Sequence, residues 1–194
     1  MNDKFITPKY GINFTNGSPY TETYGGQPIL KKVIIPIEIC REGVTLPQYA
    51  NPNDAGMDVC AAEDVLVEIG KTVLVPTGLK VAIPVGYEIQ VRPRSGLSLN
   101  TPLKISNSPG TIDAGYRSEI GIIVTNASSH YEDCDVDTYD LSSKGNKFGD
   151  YQIKKGDRIA QLVLQKVPQM NFQIVDSVAD IGQDRKGGFG SSGV

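Results

Sequence analysis

Residues 86–93 read Gly-Tyr-Glu-Ile-Gln-Val-Arg-Pro, and this stretch predicts the class of fold. Tyr87, Ile89 and Val91 alternate with polar residues, which places them on one face of an extended chain. A glycine and a proline bound the run, and both residue types favour turns over the interior of a strand. We therefore predict a short, half-buried β-strand between two turns.

The same alternation occurs on both sides of this stretch. The residues that share a face are Val65, Val67 and Ile69 before it, and Ile120, Ile122 and Val124 after it. Gly and Pro number 21 and 12, and helices tolerate both poorly in their interiors. Short strands between frequent turns are typical of a β-sandwich, a jelly roll or a small barrel, so we predict an all-β fold.

Three further elements are predicted with less regular patterns. The apolar run 33–39 contains Pro36, which suits an edge strand or a bulge because proline cannot donate a hydrogen bond to a neighbouring strand. A strand is also predicted from 159 to about 167. The one helix that we predict is short, around 98–103, and interrupted by Pro102.

Composition argues against several classes of function. Nineteen Lys and Arg against 22 Asp and Glu give a net charge of −3, so we expect no direct nucleic-acid binding. No run approaches the ~18 apolar residues of a membrane span, and three widely spaced cysteines favour reduced thiols in the cytoplasm. The single histidine, His130, cannot form a multi-histidine metal site, so any hydrolysis would use carboxylates and a hard metal ion.

The alternation stops in an acidic segment, residues 127–150. Its Asp-x-Asp-x-Asp spacing is similar to an EF-hand loop, but Thr138 and Lys144 stand where that loop needs Gly and Glu. We predict a solvated surface insertion rather than a calcium site.

The segment that follows the strand predicted at 86–93 is suited to bind phosphate. It consists of Arg94, Ser95 and Gly96. They combine a guanidinium, a hydroxyl and backbone N–H groups, and the glycine lets an anion approach the backbone closely. An alternative is that Ser95 only caps a helix while Arg94 is solvated.

Residues 110–117 read Gly-Thr-Ile-Asp-Ala-Gly-Tyr-Arg and are interpreted as a β-hairpin. Ile112 and Tyr116 would flank its tip, where Asp113 is a candidate catalytic carboxylate. The alternative is that Asp113 only stabilises the turn through its own side chain. These residues alone leave both interpretations open.

Five segments resemble, in order, the five motifs of the trimeric dUTPase family. They are residues 54–59, 93–97, Asn107 with 110–117, 156–162 and 187–193. One such motif is weakly specific, but five in the same order are seldom produced by chance. The resemblance covers 33–194 and implies a jelly-roll-like (β-clip) fold, assembled as a homotrimer with shared active sites.

The resemblance implies that the protein hydrolyses dUTP to dUMP and pyrophosphate with Mg²⁺. Asp113 would deprotonate the water that attacks the α-phosphorus in line, and Asp58 would reach the metal through water. The family pattern divides the chain into an N-terminal extension (1–32), a β domain (33–180) that carries the insertion, and a mobile C-terminal arm (181–194).

The resemblance also implies a set of substrate-binding residues. Asn107 and the backbone of 111–113 would bind the uracil edge, and Tyr116 would leave no space for a ribose 2′-hydroxyl. Phe189 would stack on uracil when the arm closes. The full set is Arg94, Ser95, Gly96, Asn107, Thr111, Ile112, Asp113, Tyr116, Gln161, Arg185, Phe189, Gly190, Ser191 and Ser192.

Two other functions stay open. The dCTP deaminases and bifunctional deaminase-triphosphatases share the fold and use a glutamate for deamination, for which Glu119 is the candidate here. The insertion 127–150 is similar to those of some phage members of the family. The second alternative is therefore a nucleotide-sensing regulatory protein that binds a protein partner through 127–150.

Overall fold

The computed structural model describes residues 32–129 and 136–184, together with two short paired strands, β1 (Thr23–Tyr24) and β2 (Gln27–Pro28). The other described strands are β3 (Ile37–Ile39), β4 (Met57–Cys60), β5 (Val65–Val67), β6 (Thr72–Pro76), β7 (Leu79–Val81), β8 (Tyr87–Arg92), β9 (Leu103–Ile105), β10 (Gly110–Ile112), β11 (Gly121–Asn126), β12 (Thr138–Asp140), β13 (Asp150–Ile153) and β14 (Arg158–Lys166). One helix, α1 (Ser95–Asn100), lies between β8 and β9 in this part of the chain. No helix among the described residues has the length and apolarity to cross a membrane. The all-β prediction is confirmed.

The four-stranded sheet contains β8, the strand predicted within residues 86–93. Its order is β10-β8-β14-β4, and every pair is antiparallel. In β8, Ile89 and Val91 are 7% and 5% exposed, whereas Gln90 between them and Glu88 before them are half-buried. The predicted alternation is confirmed at Ile89 and Val91, and β8 pairs with β10 on one side and β14 on the other.

The remaining strands form smaller sheets around the same core. Their orders are β6-β11-β9, β12-β13-β5 and β3-β7. Ile120, Ile122 and Val124, which were predicted to share a face, are all at most 2% exposed. They pack in one apolar cluster with Val59 and Val91 of the four-stranded sheet. Burial of such side chains contributes about 1.5–3 kcal/mol each, so this cluster is the main source of stability.

Strand β3 is an edge strand, as Pro36 predicts. Its one neighbour among the described strands is β7, and both Ile37 and Ile39 are exposed. The Pro36 carbonyl accepts a hydrogen bond from the Ala82 N–H at 2.9 Å, so proline supplies an acceptor where it cannot supply a donor.

The helix differs from its prediction. It spans Ser95–Asn100 rather than 98–103, because Leu103 begins β9 and Pro102 precedes it. At its C-terminal end the Thr101 hydroxyl donates to the Leu97 carbonyl at 2.8 Å. Arg94 is the N-cap residue and no side chain caps the helix, so the alternative that Ser95 is a cap is wrong.

The predicted hairpin at 110–117 is also wrong as a pair of strands. Strand β10 pairs with β8, whereas the strand after the turn, β11, pairs with β6 and β9 in another sheet. Residues 113–120 therefore cross from one sheet to the other. The turn residues were correctly located, but local sequence does not determine which strand each flank joins.

The described part of the insertion, 127–129 and 136–150, is built into the fold rather than solvated throughout. Strand β12 pairs in parallel with β13, and Tyr139 packs against Tyr151 with ring centroids 5.8 Å apart. The fully buried Asn126 amide donates to the carbonyls of Val67 and Gly149, at 3.0 and 2.8 Å. The C-terminal end of residues 136–150 is thus hydrogen-bonded to the buried core through Asn126.

Candidate active site

A cavity of about 130 Å³ lies beside β10, where β8 and β11 provide its apolar floor. Asn107, Thr111, Ile112 and Tyr116, four of the predicted substrate-binding residues, line this cavity. Buried Ile112 contributes an apolar wall, whereas Asn107 and Thr111 are exposed at the polar rim. Polar groups held beside a buried apolar wall can orient a small polar ligand.

Gly110 determines how closely Asn107 approaches the strand. A Cβ at position 110 would lie 3.2 Å from Asn107 Nδ2 and 3.3 Å from Val91 Cβ. Both distances are shorter than normal carbon contacts, so a larger residue would push the amide away from the cavity. Glycine is explained here by a close approach inside the site.

Asp113 occupies the first position of a turn at the end of β10. The Tyr116 N–H donates to the Asp113 carbonyl at 3.0 Å, and Arg117 Nη1 donates to the carbonyls of Ala114 and Tyr116 at 2.7 Å each. Within the described residues, no group donates a hydrogen bond to the Asp113 carboxylate, which is exposed. Backbone groups hold the turn, so the carboxylate is available for chemistry.

Tyr116 is oriented from its hydroxyl end. The hydroxyl donates to the Glu119 carbonyl at 2.8 Å, and the side chain is 39% exposed at the cavity. The ring therefore borders the cavity, while the hydroxyl is hydrogen-bonded to the backbone at Glu119.

A second group of predicted residues meets at the ends of β4, β8 and β14. Arg94 donates from Nε and Nη2 to the two carboxylate oxygens of Asp58, at 2.8 and 3.1 Å. Arg158 approaches the same carboxylate at 3.4 Å. The strand register aligns Gln161 with Asp58 on one side and with Arg92 on the other. The guanidiniums of Arg94 and Arg158 and the amide of Gln161 therefore lie near the Asp58 carboxylate.

Two glycines of this second group play different parts. A Cβ at Gly56 would lie 3.1 Å from Val163 Cγ2 and 3.3 Å from Gln161 Oε1, so Gly56 is needed for packing. A Cβ at Gly96 would meet nothing within 4 Å, and Ser95 beside it is exposed. The fold does not require glycine at position 96, whereas close approach of an anion would.

Within one chain, the two groups are separate. On β10, Ile112 pairs with Ile89 of β8. Three residues further along β8, Arg92 pairs with Gln161 of β14, which in turn pairs with Asp58 of β4. Three strand intervals and three residue rises put Ile112 roughly 17 Å from Asp58. The structure therefore brings together the predicted base-binding residues, and separately the predicted phosphate-binding residues, but not both.

Glu119, the candidate deaminase residue, is engaged in the scaffold. Both of its carboxylate oxygens accept hydrogen bonds from Arg41, at 2.7 and 3.0 Å, and the Gly78 N–H donates at 2.7 Å. The hydrogen bond from Arg41 is the main cause that lowers the pKa of Glu119. Because both carboxylate oxygens are occupied by scaffold groups and Glu119 does not line the cavity, this carboxylate is poorly placed to shuttle a proton in deamination.

Sequence reasoning missed Arg41 and Arg158. Arg158 belongs to the fourth motif segment and is the first residue of β14, so its place beside a turn was a usable signal. Arg41 stands just after the predicted edge strand and carries no comparable signal. Five predicted site residues, Arg185, Phe189, Gly190, Ser191 and Ser192, lie outside the described residues, as does His130.

The described residues contain no group of three or more His, Cys, Asp or Glu side chains that could hold a metal ion. Asp58 is the single carboxylate of the phosphate-binding group. This donor set fits Mg²⁺, which keeps several waters and takes one or two carboxylates together with substrate phosphates.

Fold and site define an all-β protein with a small cavity beside β10 and, apart from it, a cluster of arginine, glutamine and aspartate side chains. The dUTPase family model matches residues 42–140 and 143–193. Among curated relatives, the deoxyuridine 5′-triphosphate nucleotidohydrolase of Clostridium tetani is 41% identical over 157 residues, covering 81% of this chain and 94% of its own. The corresponding Leifsonia xyli protein is 44% identical over 148 residues, covering 76% and 85%.

The comparison with solved structures indicates the same family. The dUTPase of Staphylococcus bacteriophage 80alpha with dUpNHpp is 31% identical, with a TM-score of 0.73 over 84% of this chain and all of that one. A mutant dUTPase from phage phi11 of S. aureus, described with a structural Mg(II) ion, is 29% identical, with a TM-score of 0.68 over 75% and 98%. This chain belongs to the dUTPase family, and the predicted jelly-roll-like fold is confirmed.

Proposed function

We propose that this protein hydrolyses dUTP to dUMP and pyrophosphate. The observation that carries the proposal is one cavity lined by Asn107, Thr111 and Tyr116, with the open carboxylate of Asp113 at the adjoining turn. The relatives that bear the name deoxyuridine 5′-triphosphate nucleotidohydrolase support the activity, and the phage structures with dUpNHpp support the substrate.

Base and sugar selection follow from the groups around the cavity. The Asn107 amide and the backbone of 111–113 form a fixed set of donors and acceptors for the uracil edge. Cytosine would leave a buried polar group unpaired, which costs about 1–3 kcal/mol. The Tyr116 ring lies against the deoxyribose and excludes a 2′-hydroxyl by lack of space.

Asp113 is the general base. Its carboxylate takes a proton from a water molecule as the water oxygen bonds to the α-phosphorus. The bond from the α-phosphorus to the bridging oxygen breaks on the opposite side, and pyrophosphate leaves with that electron pair. Asp113 then releases the proton to solvent. An ordinary exposed carboxylate suffices, because positioning of the water supplies much of the rate.

Arg94, Ser95, Gly96 and Gln161 bind the phosphates. Arg94 is paired with Asp58 in this structure, so its guanidinium is held ready near the phosphate position. Mg²⁺ is the cofactor: it would neutralise charge on the phosphate oxygens, and Asp58 is the residue that would hold it, through water. For residues 181–194 we propose only the roles that the family resemblance implies: Phe189 would stack on uracil, and Arg185, Gly190, Ser191 and Ser192 would bind the phosphates.

We also propose that the active protein is a homotrimer whose sites combine residues of different copies. Support comes from the separation of roughly 17 Å between Ile112 and Asp58, because a single nucleotide must contact both groups. Further support comes from the segment after β14, where Met170, Phe172 and Ile174 alternate and are 82%, 85% and 98% exposed. Alternating apolar residues at such exposure are suited to pack on another copy.

Mixing two inactive variants tests the shared site. Asp113→Asn and Arg94→Ala lesions lie in different groups, so trimers refolded from a mixture contain some sites free of both lesions. We expect activity to recover in the mixture and a trimer mass by sedimentation. A mixture as inactive as its components would contradict the shared site.

The function itself is tested by product analysis. We expect pyrophosphate from dUTP in the presence of Mg²⁺, very little after chelation, and no ammonia from dCTP. Ammonia from dCTP would support the deaminase alternative, and absence of pyrophosphate from dUTP would refute the proposed hydrolysis.

A regulatory function is the second candidate, since the report on the 80alpha dUTPase states that phage dUTPases control transfer of virulence genes. Here 127–150 would contact the partner, and its described part is fixed on the sheet by β12. A Val136→Asp/Lys144→Glu variant should keep dUTP turnover and lose binding to a purified repressor, whereas Lys104→Glu on β9 should change neither. Lost turnover would mean that the segment builds the active site.

A further inference from the structure

A charged network outside the cavity is linked to the cavity wall. Arg41 follows β3 and donates from Nε and Nη2 to the two carboxylate oxygens of Glu119, at 2.7 and 3.0 Å. Its remaining nitrogen, Nη1, donates to Glu63 at 2.7 Å. A planar guanidinium that meets a planar carboxylate at two points fixes orientation as well as distance.

Glu119 is anchored a second time by the main chain. The Gly78 N–H donates to Glu119 Oε1 at 2.7 Å. The next residue, Ile120, donates its N–H to the Leu79 carbonyl at 2.8 Å, and its own carbonyl accepts the Thr77 hydroxyl at 2.7 Å. The backbone at 119–120 is therefore held firmly against the start of β7.

The Glu119 carbonyl connects this anchor to the cavity. It accepts the hydrogen bond from the Tyr116 hydroxyl at 2.8 Å. Tyr116 lines the cavity and is 39% exposed, so packing restrains its ring only in part. The position of the ring accordingly depends on where the Glu119 carbonyl is held.

We propose that Arg41 is a positioning residue that, through Glu119, holds Tyr116 where it discriminates deoxyribose from ribose nucleotides. The inference rests on the proposed function, in which the Tyr116 ring lies against the sugar. Arg41 does not line the cavity, so it acts only through Glu119. Without Arg41, residues 119–120 keep their bonds to Leu79 and Thr77, but the side-chain anchor nearest Tyr116 is weakened. The ring can then move and admit a 2′-hydroxyl.

Steady-state kinetics with dUTP and UTP test this inference on the full-length protein. For Arg41→Ala we expect kcat for dUTP within about twofold of wild type and KM about fivefold higher. The ratio of kcat/KM for dUTP over UTP should fall about tenfold. Arg41→Lys should recover only part of this ratio, because an ammonium cannot form the two-point pair.

The matched control is Glu63→Gln, which removes the other partner of Arg41 and leaves both bonds to Glu119. It should keep the wild-type ratio. An unchanged ratio in Arg41→Ala overturns the proposal, and so does an equal fall in Glu63→Gln.

If Arg41→Ala does not fold, Tyr116→Phe provides the second test, since it removes the hydroxyl and keeps the ring. We expect a fall in the same ratio, again about tenfold, and an unchanged ratio would overturn the proposal. Wild-type protein that fails to hydrolyse dUTP would refute the proposed function instead. The two failures are therefore distinguishable.

Discussion

Arg94 Nε lies 2.8 Å from Asp58 Oδ1, and this pair joins the second motif segment to the first across 36 residues. The two side chains are 23% and 25% exposed, so solvent screens them only in part. The pair holds together the residues that we propose bind phosphate.

The Asp58-Arg94 pair is expected to stabilise the fold by about 1 kcal/mol, measured as the coupling free energy of a double-mutant cycle. Asp58→Asn, Arg94→Gln and the double variant would be unfolded in urea at one fixed protein concentration. Glu38→Gln and Lys80→Gln provide the control cycle, because that pair is 63% and 35% exposed. Equal coupling in both cycles would contradict a special role for the Asp58 pair.

Asp113→Asn should lower kcat for dUTP at least ~100-fold and leave the affinity for dUpNHpp almost unchanged, because a general base contributes to the chemical step rather than to binding. The amide keeps the shape of the carboxylate, and no fold contact of that carboxylate is lost. Single-turnover kinetics and calorimetric titration would measure the two effects. Glu68→Gln, an exposed carboxylate on another turn, is the control, and an undiminished kcat in Asp113→Asn would rule out the assignment.

Gly96→Ala should separate folding from phosphate binding. The added methyl meets nothing in the chain, and alanine favours helix, so stability should rise by about 0.5–1 kcal/mol. In the complex the methyl would meet a phosphate, so KM for dUTP should rise about tenfold. Ser98→Ala on the same helix should alter KM little, and a Gly96→Ala enzyme with wild-type KM would show that no phosphate approaches here.

Asn126→Ala should destabilise the protein by about 2–4 kcal/mol. The fully buried side chain donates to the Val67 and Gly149 carbonyls and accepts from the Ser128 N–H, so its removal leaves buried polar groups unpaired. Urea denaturation would measure the change. The control, Asn100→Ala, removes one exposed hydrogen bond to the Gly96 carbonyl and should lower the free energy of unfolding by no more than about 0.5–1 kcal/mol. An equal loss of stability in the two variants would contradict the role of buried Asn126 in holding residues 136–150 to the core.

The dependence of the free energy of unfolding on acidic pH should reveal the contribution of the Glu119 carboxylate. Its pKa is lowered in the folded protein by the hydrogen bond from Arg41, so its contribution to the free energy of unfolding is fully present above the unfolded value of about 4.3. The contribution is lost as the pH falls through the lowered folded pKa. Glu119→Gln should therefore be less stable than wild type at pH 7, with a difference that narrows below about pH 4.3. A difference that is constant with pH would contradict this.

Strands β5, β8 and β11 could be predicted because alternation reports which side of its own strand a residue occupies, whereas strands without that pattern, such as β4 and β6, were not predicted. Ile89 and Val91 are buried, and Ile122 is fully buried, as that pattern requires. The helix was displaced by three residues because Pro102 was read as an interruption, whereas it separates α1 from β9. Residues 136–150 were read as solvated because β12 is short and its parallel partner β13 gives no local signal.

The types of residue at the site were visible in the sequence, and Asn107, Thr111 and Tyr116 do share a cavity. What local pattern could not show was that 110–112 and 121–126 join different sheets. Nor could it show that Glu119, a candidate proton shuttle by position, is bound by Arg41.

The β class of the fold, the places of its turns and the family follow from the amino-acid sequence, because alternation, turn residues and short motifs each involve a few neighbouring positions. The pairing of Arg94 with Asp58, the pairing of Arg41 with Glu119 across 78 residues, and the separation within one chain of the proposed base-binding and phosphate-binding residues depend on the three-dimensional fold. The physical reason is that such pairings depend on strand register and sheet order. Those are set by the packing of the whole chain rather than by any one segment of it.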